Sequence, residues 1–307
     1  MNNGFLHSDR TPEQQRQLPF HEHVVEVLAD AGSRGLSSAG LEWAVYLGDA
    51  KRVLSGLEAE SYDCVVTSPP YYWLRDYDIE GQIGKENTVS EYVEAIAGVM
   101  DEVFRVLKKE GLLFLNLGDT YYSGKGQPTQ PDRKSRKRRF GLRAVDASGG
   151  VGINVRPKTA ISIPPRVAIE MCKRKWILRS DIIWNRVHCL PESVYDRPRR
   201  SYEHVLMFAK NRKYYFDRKP LVAAGEEDIW YIPARPEQTN GIDTAPFPDE
   251  LVQRCLDVGC PPAGRVLDPF AGSGTTLRVA IKSGRPADGI DLSDKFCEYM
   301  VDMLSHL

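Results

Sequence analysis

The chain has 307 residues, enough for one enlarged α/β domain or two smaller ones. Its 42% hydrophobic and 27% charged content is that of an ordinary globular protein. With 41 Lys and Arg against 42 Asp and Glu the net charge is -1, which excludes a uniformly basic nucleic-acid coat; contact with a polyanion must come from local clusters.

Residues 1–20 are polar and read as a loose arm with no secretory leader. His23 to Ala31 reads as a short helix, and Leu36 to Tyr46 as a second helix capped by Ser37 or Ser38. The pair is compatible with a helix-turn-helix, but a packed N-terminal extension over 1–40 is the simpler reading. Tyr62 to Thr67 is a continuous apolar run that suits a parallel strand covered on both faces. Val89 to Lys108 has helical period, with Tyr92, Ile96, Val99, Met100, Val103 and Leu107 on one stripe, and Gly111 stops it. Leu112 to Leu117 is the next strand.

From Tyr121 to about Gly152 the chain turns polar and Gly-rich and carries the run Arg133-Lys134-Ser135-Arg136-Lys137-Arg138-Arg139, which reads as a long basic loop over about 121–155. Pro165 suits the start of a helix running to Lys173. Trp176 to Trp184 and Tyr202 to Ala209 read as strands, and Tyr214 to Asp217 as a further short one. Glu226 to Pro248 reads as loop. Asp249 to Val258 (helix), Val266 to Asp268 (strand), Thr275 to Ser283 (helix), Ala287 to Asp291 (strand) and Asp294 to Leu304 (helix) follow. The alternation predicts an α/β fold with a doubly wound, mostly parallel sheet.

Two motifs carry the chemistry. Late in the chain, Asp268-Pro269-Phe270-Ala271-Gly272-Ser273-Gly274-Thr275-Thr276 joins a strand to a helix. Its glycines let backbone approach a ligand, and the helix start offers free N–H groups. A phosphate-binding P-loop needs a Lys after the last glycine, and the dinucleotide fingerprint needs a third glycine where Leu277 stands. A nucleoside with a small zwitterionic tail remains, and S-adenosylmethionine has that shape. Asp291, at the next strand's end, is placed to accept ribose hydroxyls.

Early in the chain, Thr67-Ser68-Pro69-Pro70-Tyr71 closes a strand. The prolines cannot donate backbone hydrogen bonds and fix the turn. A base amine is a poor nucleophile because its lone pair is delocalised into the ring. The Ser68 hydroxyl and the Pro69 carbonyl can hold its two N–H bonds and free the lone pair for in-line displacement. Tyr71 offers a face for stacking the base, with Tyr72, Trp73 and Tyr77 as further lining. The six cysteines, Cys64, Cys172, Cys189, Cys255, Cys260 and Cys297, form no CxxC and no Pro-Cys pair, and the histidines form no metal-ligand cluster. Neither a metal nor a thiolate nucleophile is expected.

With these residues the chain resembles the DNA amino-methyltransferases that modify N4 of cytosine or N6 of adenine, and its tetrad-first order resembles their β group. The resemblance runs from about Leu47 to Tyr299. It implies a Rossmann-like, circularly permuted methyltransferase fold over 41–307 with an inserted DNA-recognition region, whose target-recognition elements are expected within about 120–240 and outside the sheet. It implies S-adenosylmethionine as cofactor, held by Asp49, Thr67, Phe247, Asp268, Phe270, Ala271, Gly272, Ser273, Gly274, Thr275, Thr276 and Asp291, with Thr244 to Pro248 covering it. Asp49 resembles the carboxylate that holds the cofactor's adenine amine, and Asn116 to Tyr121 resembles the segment after the next strand. Pro191 to Val194 and Arg197-Pro198 fall where the family meets the flipped base.

Double-stranded DNA is the implied partner. Arg133, Lys134, Arg136, Lys137, Arg138 and Arg139, with Lys125 and Arg143, are its candidate phosphate contacts. A second basic set, Arg197, Arg199, Arg200, Lys210, Arg212 and Lys213, is expected beside the flipped base. Ser68 in the tetrad's first position favours N4-cytosine, with N6-adenine as the alternative and a catalytically silent DNA-binding subunit as another. A cognate restriction endonuclease, a phage or an orphan locus, and a monomer or homodimer all stay open. No apolar run reaches membrane-span length, so a cytoplasmic location is expected.

Overall fold

The computed structural model describes residues 26–28, 32–74, 77, 79–122, 156–187, 194–234 and 247–307. In chain order the elements are β1 (Glu26–Leu28), β2 (Gly32–Leu36), β3 (Glu42–Leu47), α1 (Ala50–Gly56), β4 (Tyr62–Thr67), α2 (Val89–Val106), β5 (Leu107–Leu117) and α3 (Ile163–Lys173). Then come β6 (Ile177–Asn185), β7 (Tyr202–Ala209), α4 (Lys219–Ala224), β8 (Ile229–Tyr231), α5 (Asp249–Gly259), β9 (Val266–Asp268), α6 (Thr275–Lys282), β10 (Ala287–Asp291) and α7 (Asp294–Ser305).

The described strands form one sheet in the order β1-β2-β3-β10-β9-β4-β5-β7-β6-β8. Its centre, β3 to β5, is parallel throughout. β7 pairs antiparallel with β5 and β6, and β2 with β3. One face packs α5, α6 and α7 around Phe114, Val66 and Leu277; the other packs α1, α2 and α3 around Leu113, Tyr92 and Ile290. Burial on both faces explains the apolar stretches Cys64 to Val66 in β4 and Leu112 to Leu115 in β5.

Chain connectivity places the site. From β4 the chain crosses to β5 through α2 on one face; from β9 it crosses to β10 through α6 on the other. β4 and β9 are neighbours, so the winding reverses between them. Crevices beyond the carboxyl ends of strands at such a reversal are where open α/β sheets bind ligands.

Several expectations are corrected. Among the described residues neither N-terminal helix is present: 26–28, 32–36 and 42–47 are strands, which removes the helix-turn-helix. Gly40, inside the second expected helix, takes φ 74° in a turn, and the Trp43 ring lies against Gly35, where an added Cβ would stand 2.6 Å from it. The run Trp43 to Leu47 is short enough to fit either period, and pairing with β10 decides for strand. α2 is capped by a reciprocal Thr88–Glu91 box and ends at Val106, so Lys108 to Gly111 extend β5. Tyr214 to Asp217 is loop, while 229–231 of the expected loop is β8. Within the interval 120–240, β6, β7 and β8 belong to the sheet; 123–155, 188–193 and 235–246 lie outside the described residues.

Candidate active site

Residues 201 positions apart meet at the reversal: the Thr67 hydroxyl donates to Asp268 Oδ1 at 2.6 Å. The Thr276 hydroxyl donates to Asp268 Oδ2 at 2.7 Å, and Phe270 N–H to Oδ1 at 3.0 Å. One buried carboxylate thus ties the end of β4 to both ends of the glycine loop. Burial pushes the Asp268 pKa up to about 6, against the opposing effect of these donors. Thr67, Asp268 and Thr276 are therefore turned inward, beneath the loop, and Thr275 and Ser273 are buried.

The loop's outer side is different. Gly272 has φ 53°, and an added Cβ there would meet nothing within 4 Å. Its N–H donates to Asp291 Oδ2 at 2.8 Å, and Ser293 N–H donates to Oδ1 at 2.8 Å. Burial raises the Asp291 pKa as well. Gly274 also has positive φ, but its Cβ would stand 2.7 Å from Met300 Cγ; there glycine allows α6 and α7 to pack closely. Ala271 N–H bonds the Ile290 carbonyl at 2.9 Å, and Gly48 N–H the Asp291 carbonyl at 2.9 Å. Asp49 caps α1 through Arg52 N–H at 2.9 Å and is exposed beside Asp291's strand end. Phe270 and Phe247 are half-buried, the latter just before α5. α5 is tied to α6 by the paired Arg278–Asp249 contacts at 2.6 Å. The structure thus brings the late motif, Asp49 and Asp291 to one edge of the sheet.

The tetrad lies at that edge beside Thr67. Tyr92 donates its hydroxyl to the Pro70 carbonyl at 2.9 Å, which fixes the turn from α2. The Tyr71 ring lies over Gly118, where a Cβ would stand 2.6 Å from Cε2. Its hydroxyl donates to Glu203 Oε2 at 2.6 Å and also faces Asn116 Oδ1 at 3.0 Å, while the Ser68 hydroxyl approaches it at 3.5 Å. Asn116 Nδ2 donates to the His204 carbonyl at 3.1 Å and reaches Glu203 at 3.3 Å. Arg186 holds the other Glu203 oxygen at 2.8 Å. Burial, and then the Glu203 charge, hold the Tyr71 phenol well above its usual range, so it stays protonated.

Glu203, Arg186 and Tyr92 were not among the sequence candidates. No motif marks them; Glu203 is 132 residues from Tyr71 and meets it only because β7 lies beside β5. Tyr72, expected in the pocket, is buried against Tyr92 with ring centroids 5.3 Å apart. Trp73 bonds the Glu86 carbonyl at 2.8 Å, and Tyr77 packs edge-on against Phe296. Asp119 caps α3 by accepting from Ile163 N–H at 3.0 Å and Ser162 N–H at 3.1 Å.

The second basic set is split by the fold. Arg197 stacks 3.9 Å from the centroid of Tyr121, Arg200 donates to the Asp119 carbonyl, and Arg199 is exposed, all on the tetrad's side. Lys210, Arg212 and Lys213 follow the far end of β7, about 25 Å away along an eight-residue strand. There Lys210 donates to the Leu107 carbonyl at 2.8 Å. Arg133 to Arg139, Cys189, Pro191 to Ser193 and Thr244 to Pro246 lie outside the described residues. Among the described residues no cluster suits a metal ion, and no helix is long and apolar enough to cross a membrane.

The N6/N4 family model, described as DNA methylase, matches residues 62–302. The type II methyltransferase M.SmaI of Serratia marcescens is 38% identical over 261 residues, covering 82% of this chain and 87% of the relative. M.XycI of Xanthomonas campestris pv. cyanopsidis is 39% identical over 267 residues, covering 85% and 87%. The solved cytosine-N4-specific PvuII DNA methyltransferase shares the fold at 20% identity, with a TM-score of 0.66 over 84% of this chain and 85% of its own. On the family match and these extended identities, the chain belongs to the N6/N4 DNA methylases.

Proposed function

We propose that this DNA methylase moves a methyl group from S-adenosylmethionine to the exocyclic N4 amine of a cytosine flipped out of double-stranded DNA. The supporting observation is the placement of Ser68: its hydroxyl stands at the end of β4, one residue beyond the Thr67–Asp268 bond that joins the tetrad to the glycine loop.

The residues present suit the cofactor. Gly272 leaves open space over its backbone, Asp49 and Asp291 put carboxylates at one lip, and Phe247 and Phe270 are half-buried aromatics. Asp291 would take ribose hydroxyls and Asp49 the adenine amine, while Asp268, Thr67 and Thr276 hold the loop from below. Bound there, the cofactor supplies an electrophilic methyl group on a sulfur cation.

The chain's own residues do the rest. Ser68 Oγ and the Pro69 carbonyl accept the two N–H bonds of the amine and localise its lone pair. The Tyr71 ring stacks the extruded base, a contact worth about 1–3 kcal/mol that helps offset unstacking. Arg197, Arg199, Arg200 and the Arg133 to Arg139 run neutralise backbone phosphate. A DNA substrate places the work in the cytoplasm, and the type II relatives suggest a cognate restriction endonuclease as partner.

The test is to incubate the protein with labelled S-adenosylmethionine and mixed-sequence DNA, digest to nucleosides and identify the product by mass. N4-methylcytosine is expected. N6-methyladenine would move the assignment to adenine, and no labelled nucleoside would leave a DNA-binding subunit.

A further inference from the structure

Resting on the base-amine reading above, we infer that Glu203 is the terminal acceptor of the proton that the target amine loses, reached through Ser68 and Tyr71. An amine that gains a methyl group becomes cationic and must shed a proton to leave a neutral product. The geometry at the tetrad already points one way: the Ser68 hydroxyl lies 3.5 Å from the Tyr71 hydroxyl, which donates to Glu203 Oε2 at 2.6 Å.

The balance is simple. The amine N–H bond breaks with its electron pair staying on nitrogen. The proton goes to Ser68 Oγ as the Ser68 proton moves to Tyr71 Oη and the Tyr71 proton moves to Glu203 Oε2. Ser68 and Tyr71 end as they began, and Glu203 ends as a neutral carboxylic acid. With its side chain 13% exposed, Glu203 can then return the proton to water.

Three observations favour Glu203 over its neighbours. Asn116 also faces the Tyr71 hydroxyl, but at 3.0 Å, and an amide cannot store a proton. Arg186 holds Glu203 Oε1 at 2.8 Å, which fixes the carboxylate while leaving Oε2 toward Tyr71. The protonated state of Tyr71 keeps it a donor to Glu203. The Ser68–Tyr71 step is long, as catalytic hydrogen bonds often are before the reacting complex forms. Among the described residues, the groups facing Glu203 are Tyr71 from the loop after β4, the uncharged Asn116 on β5 and Arg186 after β6. His204, next on β7, contacts Asp181 at 2.8 Å instead. Glu203 touches neither base nor cofactor in this scheme; it is a positioning residue that also takes the proton.

The experiment is single-turnover methylation of a duplex by wild type, Glu203→Gln, Tyr71→Phe and the double variant, with proton inventories on each and with DNA and cofactor affinities measured separately. Glu203→Gln should be about 100-fold slower, the lower range for general base catalysis, and should lose the bowed inventory of the wild type. Tyr71→Phe should be similarly slow, and the double variant no slower than the slower single. Affinities should stay close to wild type.

A Glu203→Gln variant as fast as wild type, or one that keeps the wild-type bowed inventory, or whose loss lies in DNA affinity, overturns the relay. A wild type that yields no methylated base overturns the base-amine reading and the relay with it. A proton inventory on the wild type, in mixtures of light and heavy water, guards against a variant that fails to fold. Several protons in flight bow that plot, and a straight line rejects the relay.

Discussion

Gly118→Ala tests the seat of Tyr71. An added Cβ would stand 2.6 Å from Tyr71 Cε2, 3.1 Å from Cδ2 and 3.4 Å from Cζ. The ring cannot retreat freely, because its hydroxyl is held by Glu203 at 2.6 Å. Either the clash is absorbed as overpacking, at about 1–3 kcal/mol, or the ring tilts and gives up a hydrogen bond to a charged acceptor, at about 1.5–3 kcal/mol. A misplacement of about 1 Å at a reacting centre can cost around 100-fold in rate. Single-turnover methylation should therefore fall by about 10- to 100-fold, as 1.4–2.8 kcal/mol implies. Cofactor affinity, measured by calorimetry, should hold, because Gly118 lies on the Tyr71 side and not on the glycine loop. A Gly118→Ala enzyme with wild-type rate, or one whose loss is all in cofactor affinity, would show that the Tyr71 ring does not set the geometry.

Three further outcomes are expected. Gly272→Ala should weaken cofactor binding by about tenfold with modest strain at its positive φ, whereas Gly274→Ala should lower thermal stability by meeting Met300; the reverse pattern in calorimetry and melting would contradict the assigned faces. Asp268 has its folded pKa raised to about 6, above the unfolded value, so the folded state binds more protons between roughly pH 4 and 6. Stability relative to Asp268→Asn should therefore shift in favour of wild type by up to about 3 kcal/mol as pH falls through that window, and a shift of opposite sign in denaturant titrations would defeat the reading. Arg199→Ala should reduce the slope of log K against log salt by about 1, while Lys210→Ala, on the far side of the sheet, should leave it unchanged.

Local sequence determined most of the central elements and both motifs. β4, β7, β9 and β10 have the bounds expected for them, because each is anchored by a short apolar stretch buried in the sheet, such as Cys64 to Val66 in β4 and Val205 to Ala209 in β7. The glycine loop and the proline turn were legible for a related reason: their backbone conformations demand Gly and Pro in the chain itself. The N-terminal hairpin was not legible, since a five-residue apolar run fits both periods until β10 pairs with it. Nor was Glu203, whose role depends on which strand β7 lies beside and not on its neighbours in sequence. The inward turn of Thr67 and Thr276 and the separation of Lys210 from Arg197 are equally matters of strand direction and packing. Sequence by itself named the chemistry; tertiary structure alone decided which polar groups face the cleft, which lie buried beneath it, and where a proton can go. Side-chain type is encoded one residue at a time, whereas contact across more than 100 positions exists only once the sheet has formed.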